Sequence, residues 1–159
     1  GRISMPAALA DPFTVLSTMQ TLSELNEGLV RQLGDAAHMR ALPAGGVLFL
    51  ESEQHSQLYL VASGTVRLEM LTTKCGKRTI LSIGSGDFLA WSALVGDGVM
   101  TATAIANDAV QLVAFDAESL QQLFEQNTEL GFRVMRALSK SLSRRLLATR
   151  LQLLDLYQD

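Results

Sequence analysis

The hydrophobic positions along the chain change period twice. Leu22, Leu25, Leu29 and Leu33 recur at steps of 3, 4 and 4, the spacing that lines up side chains on one face of an α-helix. Residues 15–33 therefore hold an amphipathic helix, or a helix pair around Asn26, stopped by Gly34-Asp35. From residue 36 to 115 the helical period gives way to short runs at 47–51, 57–62, 65–71, 78–83, 100–106 and 109–115. Gly64, Gly76 and Gly86 punctuate them, and Val66, Leu68 and Met70 alternate with Arg67 and Glu69 as in a half-buried strand. Many short strands joined by glycine turns predict a mainly β fold, an antiparallel sandwich or jelly roll flanked by helices. Helical patterning returns at Asp116, read as an N-cap with Glu118 in the first turn of a short helix ending near Phe124.

A longer helix follows, from about Thr128 to Tyr157. On it Met135, Leu138, Leu142, Leu146, Thr149, Leu153 and Leu156 are spaced by 3, 4, 4, 3, 4 and 3, close to a coiled-coil seam. Leu147, Leu151 and Leu154 form a second apolar line beside it. Such a helix is roughly 45 Å long, more than a small sandwich covers. The uncovered apolar surface calls for a partner, most simply the same helix of a second copy, so a homodimer is expected.

Composition narrows the class. A chain of 159 residues with 48% hydrophobic and 18% charged residues suits one globular domain with a proper core. No apolar run nears the ~18 residues of a membrane-spanning helix, and no signal-peptide pattern opens the chain. The lone Cys75 excludes an internal disulfide and suits a reducing cytoplasm. The net charge of −3 is uneven: residues 1–128 carry −6 and residues 129–159 carry +3. In an acidic chain that basic helix reads as a solvated face, and no direct nucleic-acid binding is expected. Residues 1–14, with Pro6 and Pro12, read like a vector-derived tail outside the fold.

The chemistry concentrates in residues 84–104. Two strand-like segments there enclose a glycine-bounded turn and a single helical turn, which can aim backbone N–H groups at one small anion. The segment carries Asp87 and Asp97 but no Lys or Arg. It is shaped for a phosphate without a cation to hold one.

Five collinear motifs carry a resemblance. They are Leu42-Pro43-Ala44-Gly45-Gly46, Leu58-Tyr59-Leu60-Val61-Ala62-Ser63-Gly64-Thr65-Val66, Gly84-Ser85-Gly86-Asp87-Phe88, Thr101-Ala102 and Ser143-Arg144-Arg145-Leu146. In this order the chain resembles, over about residues 16–157, the cyclic nucleotide-binding domain of the Crp/Fnr-type bacterial regulators. The resemblance implies N-terminal helices over 15–35, an eight-stranded roll over 36–115 (a double-stranded β-helix, or jelly roll) and C-terminal helices over 116–159, the last a dimerisation helix. It also implies a phosphate-binding cassette of the pattern G-D-x-x-G-E-L-A-L…R-[ST]-A, whose glutamate holds a ribose hydroxyl and whose arginine pairs with the cyclic phosphate. Aligned on Gly86-Asp87-Phe88, the small position is Ala90 and the glutamate position Trp91; aligned on Thr101-Ala102, the arginine position is Met100. Both chemistry-bearing side chains are replaced, and a charge-assisted bond of about 1.5–3 kcal/mol goes with the arginine.

What remains is the helix start, with the N–H groups of Ser92 and Ala93 and the Thr101 hydroxyl. Thr149 matches a helix position that contacts the base in the family, and Arg150 beside it is a candidate replacement cation, from this chain or a dimer partner. Trp91 either stacks on a planar ligand or plugs the emptied pocket together with Met100. The resemblance thus implies a non-enzymatic sensor with a degenerate cassette for a cyclic nucleotide or another small anion. The alternatives are a ligand-free scaffold for a protein partner and the sensor half of a longer regulator; a stand-alone single-domain protein without a helix-turn-helix is the expectation. Jelly rolls also host metal sites, but His38 and His55 are too few for a cupin-type cluster. Cys75, beside Lys74, Lys77 and Arg78, reads as a surface turn cysteine rather than a haem or redox ligand.

Overall fold

The computed structural model describes residues 10–156. Helix α1 (Pro12–Ser17) and a 3₁₀ turn (Gln20–Leu22) lead to α2 (Glu27–Asp35). Eight strands follow: β1 (Ala37–Leu42), β2 (Val47–Phe49), β3 (Gln57–Ser63), β4 (Val66–Thr72), β5 (Gly76–Ile83), β6 (Phe88–Leu89), β7 (Thr103–Ala106) and β8 (Val110–Asp116). The one-turn helix α3 (Ser92–Val95) lies between β6 and β7, and α4 (Ala117–Gln126) and α5 (Thr128–Leu156) close the chain. All strand pairs are antiparallel, in two four-stranded sheets ordered β1-β8-β3-β6 and β2-β7-β4-β5. This is the jelly roll with flanking helices that the short-strand pattern predicts.

Residues set aside as a foreign tail are partly structural. Residues 1–9 lie outside the described residues, but 12–14 open α1, where Pro12 needs no amide donor in the first turn. Phe13 packs on the helical core, and the Arg31 guanidinium lies 4.3 Å from its ring centroid. The 15–33 pattern resolves into separate pieces, with the Asn26 side chain accepting from Leu29 N–H to start α2. Asp116 caps α4 likewise, accepting from Ser119 N–H at 3.0 Å. The last helix runs to Leu156, and its predicted end at Tyr157 falls outside the described residues. Two strands, β1 and β6, have no counterpart among the six apolar runs. The first reads Ala37-His38-Met39-Arg40, with weak alternation, and the second is only two residues long.

Strands β3 and β8 form a wall with a core on each side. Leu58, Leu60, Val113 and Phe115 face the helices, while Tyr59, Val61, Leu112 and Ala114 face the inside of the roll. Their register pairs Leu60 with Val113 and Tyr59 with Ala114, so the period of two sorts alternate side chains between cores. Gly64 turns this strand into β4 at φ +83°, where a Cβ would stand 2.4 Å from the Ala109 carbonyl oxygen; only glycine fits.

The interior of the roll holds one polar knot. The hydroxyl of Tyr59, a fully buried residue, accepts from Arg40 at 3.0 Å and lies 2.7 Å from His55 Nε2 and 3.2 Å from Gln57 Oε1. His55 Nδ1 faces Glu53 at 3.8 Å. Burial lowers the pKa of His55, with the Arg40 charge adding to that and Glu53 opposing it. Burial also raises that of the Tyr59 phenol. For His55 the folded state favours the neutral ring, so its contribution to stability is complete above the unfolded value of about 6.5 and is lost as pH falls through the lower folded value. The carboxylates Glu24 and Asp116, held below their usual range by hydrogen bonds from Lys140 and Ser119, act only in more acid solution. The melting temperature is therefore expected to fall between pH 7 and pH 5, and His55→Gln to flatten that slope; an unchanged slope in the variant would contradict this role for His55.

Candidate functional site

The cassette begins on the shared wall. Gly86, at φ +89°, makes the turn into β6, donating its N–H to Val61 and accepting the Thr21 hydroxyl on its carbonyl. In β6 Phe88 points into the helical core and Leu89 into the roll, so two residues span both cores. Ala90 follows at φ +61°. That left-handed conformation costs an alanine about 1–2 kcal/mol relative to its usual backbone, because of its Cβ. Ser52, at φ +71°, is the other non-glycine residue in this conformation among the described residues.

From Trp91 the chain makes the single turn α3 and returns through Gly98 to Met100. The 52–55 turn holds this return: Ser52 N–H donates to Met100 O at 2.7 Å, Met100 N–H to Glu53 O at 2.9 Å, and His55 N–H to Gly98 O at 2.8 Å. Met100 is 3% exposed and belongs to the core of the roll. Trp91 packs against the helical core. These two side chains stand where the resemblance expects a carboxylate and a cation, and both are committed to packing. Between them lies a cavity of about 60 Å³, lined among others by Phe49, Ala90, Trp91, Ser92, Met100 and Thr101, with Ala102 at its edge.

The expected helix-start donors contribute less than the sequence suggests. Helix α3 is four residues long, and Ala93 N–H already donates to Ala90 O at 3.0 Å. Ala93 does not line the cassette cavity but faces an open cleft beside Gln54 and Asp116. Ser92 does line it, its hydroxyl donating to Val99 O at 3.3 Å.

A cation does reach the cavity, and it is Arg145. This side chain comes from α5, lines the cavity, and donates from Nη2 to the Phe88 carbonyl oxygen at 2.6 Å. Burial pulls its pKa below the usual arginine value, with the Asp87 charge acting in the opposite sense. The guanidinium nevertheless stays charged. Within the single chain Thr149 and Arg150 do not reach the cavity: both are exposed and absent from its lining, and the Thr149 hydroxyl donates to Arg145 O within the helix. In the sequence Arg144-Arg145 reads as part of a dimerisation motif. The overlooked signal is a second stripe on the same helix, Leu130, Val134, Leu138, Ser141 and Arg145 at steps of 4, 4, 3 and 4, whose first four residues are buried. Arg145 is where that docking face arrives at the cassette.

The proposed dimer stripe divides accordingly. Leu138 is 1% exposed in the core of its own domain, and Met135 and Leu142 pack against that core. Only the distal part is free: Leu146 is 53% exposed, Leu153 51% and Leu156 79%, with Thr149, Leu147, Leu151 and Leu154 also exposed. Leu138 is thus a core residue rather than a seam residue, because α4 and the 3₁₀ turn pack on the first part of α5.

Among the described residues no cluster of three or more His, Cys, Asp or Glu side chains is arranged to hold a metal ion, and no helix is long and apolar enough to cross a membrane. Comparison with known proteins agrees with the fold. The chain is 31% identical over 108 residues to the cyclic AMP receptor protein of Thermus thermophilus, covering 65% of this chain and 50% of that protein. It is 25% identical over 117 residues to the cAMP-dependent protein kinase regulatory subunit of Schizosaccharomyces pombe, covering 74% of this chain and 27% of that protein. The chain therefore spans between about a quarter and a half of these relatives. Among solved structures, a cyclic nucleotide-binding domain from Methylobacillus flagellatus superposes with a TM-score of 0.84 at 19% identity, covering 92% of this chain and 85% of that one. The catabolite activator protein of Thermus thermophilus superposes with a TM-score of 0.70 at 28% identity, covering 86% and 62%. The family model described as the cyclic nucleotide-binding domain matches residues 39–127, from β1 to the end of α4, and the chain belongs to that family.

Proposed function

We propose that this chain is a non-enzymatic regulatory domain, acting in the cytoplasm as a homodimer, whose degenerate cassette does not take cyclic AMP or cyclic GMP in the family's usual way. The small cavity carries this reading. Ligand pockets for nucleotide-sized molecules are on the order of 300 Å³ or more, and Trp91 and Met100 leave about 60 Å³. Regulation as the broad role rests on the likeness to a receptor protein and a kinase regulatory subunit. Dimerisation rests on the distal α5 leucines, which form an apolar face without cover in a single chain. The burial of Met100 and the packing of Trp91 also favour a second reading, a scaffold for a protein partner with its pocket permanently filled.

A melting-curve screen tests the first claim. A ligand at about ten times its Kd stabilises the folded state by about 1.4 kcal/mol, roughly 3–6 °C for a domain of this size. Cyclic AMP and cyclic GMP are expected to leave the melting temperature unchanged at millimolar concentration; a shift of that size at micromolar nucleotide would contradict the reading. Sedimentation of Leu146→Glu/Leu153→Glu tests the dimer. Both positions are exposed in the single chain, so the variant is expected to stay folded and sediment as a monomer, and an unaltered dimer would rule out the distal seam.

A further inference from the structure

Arg145 has more binding capacity than the protein uses. A guanidinium offers five N–H donors and one full charge, yet its one hydrogen bond among the described residues goes to a neutral carbonyl, that of Phe88. None of the ion pairs among the described residues includes it, and Asp87 influences it only from beyond pairing distance. The cavity beside it contains no carboxylate. Its polar side chains besides Arg145 are Ser92 and Thr101, through their hydroxyls, and Trp91, through its indole N–H, and the rest of its wall is apolar, from Phe49, Leu68 and Met100 among others. A half-buried positive charge facing an apolar cavity is unbalanced, and an anion placed there would gain from the low local polarity.

We propose that Arg145 is the anion-binding group of this cassette, and that its ligand is a compact anion the size of formate or nitrate rather than a nucleotide. Size sets the class: a cavity of about 60 Å³ admits a few heavy atoms and no sugar or base. The charge is delivered from α5, 57 residues along the chain from its present acceptor, and not from the cassette itself. Occupancy would therefore be felt at the helix that bears the free leucines. An anion that draws the guanidinium off the Phe88 carbonyl alters what fixes α5 against β6, just before the exposed distal turns begin at Leu146. This coupling rests on the regulatory reading above; the anion site itself does not.

Trp91 is the only tryptophan and lines the same cavity, so its fluorescence reports on occupancy. The full chain is titrated with sodium formate against sodium gluconate at constant ionic strength, gluconate being too large for the cavity. A saturable change is expected with formate alone, with a midpoint no tighter than about 1 mM, the limit for so few heavy atoms. Arg145→Gln is expected to raise the midpoint at least tenfold, Arg145→Lys to raise it less because it keeps the charge without the planar fork, and Arg150→Gln to leave it unchanged. Circular dichroism establishes that each variant is folded; should Arg145→Gln not fold, Arg145→Lys decides, an unchanged midpoint overturning the assignment. No saturable response to formate, an equal response to gluconate, or loss of binding in Arg150→Gln with Arg145→Gln unaffected would also overturn it. Sedimentation with and without formate separates the two claims: saturable binding with an unaltered dimer equilibrium leaves the site standing and removes the coupling.

Discussion

Strands β3 and β8, at the centre of the sheet β1-β8-β3-β6, must be apolar on both faces, and the rest of the molecule is arranged by that constraint. One face closes the roll and the other carries the helices, so adjacent residues such as Leu112 and Val113 enter different cores. Removing either kind of side chain would leave a cavity in one core, at a typical cost of about 2–5 kcal/mol for a large aliphatic residue. The cassette inherits the same division. Phe88 faces the helices, Leu89 faces the roll, and the carbonyl of Phe88 is the point where α5 touches the cassette. A ligand site hung on this wall therefore touches elements that pack on the helices as well as elements that pack in the roll.

The shape of the cassette is set by its backbone and its packing. The turn at Gly86, the left-handed Ala90 and the hydrogen bonds from the 52–55 turn fix the backbone without help from any cassette charge. At the two positions where the resemblance implies a carboxylate and an arginine the side chains pack: Met100 in the core of the roll and Trp91 against the helical core. Positive charge is still present, but it is supplied from α5 by Arg145. Helix α5 therefore serves two ends, docking with Leu130, Val134 and Leu138 in its first turns and leaving its distal leucines free in its last.

Much of the fold was legible in the sequence because it follows from short-range rules. Alternation in 65–71 and the cap at Asp116 each depend on neighbours within a few residues. The parts that were not legible depend on distant partners. Residues 12–14 look foreign by composition, yet Phe13 is held by Arg31 and the helical core. Strand β6 is too short to show a period and exists because β3 pairs with it. Arg145 was hidden among basic helix residues because its acceptor is a backbone carbonyl, and a carbonyl leaves no trace in residue type. The two overlapping stripes of α5 could be separated only by phase: the docking stripe reaches Arg145, while the leucine seam runs one face away.

The central claim is that the charge serving this cassette sits on α5. Bromide is a compact anion with a strong anomalous signal, so crystals of the full chain soaked in sodium bromide and measured at the bromine absorption edge test that claim most directly. The account predicts an anomalous peak within hydrogen-bonding reach of the Arg145 guanidinium, in the cavity bounded by Phe49, Ala90 and Met100. Bromide peaks elsewhere on the surface, with none in that cavity, would contradict it.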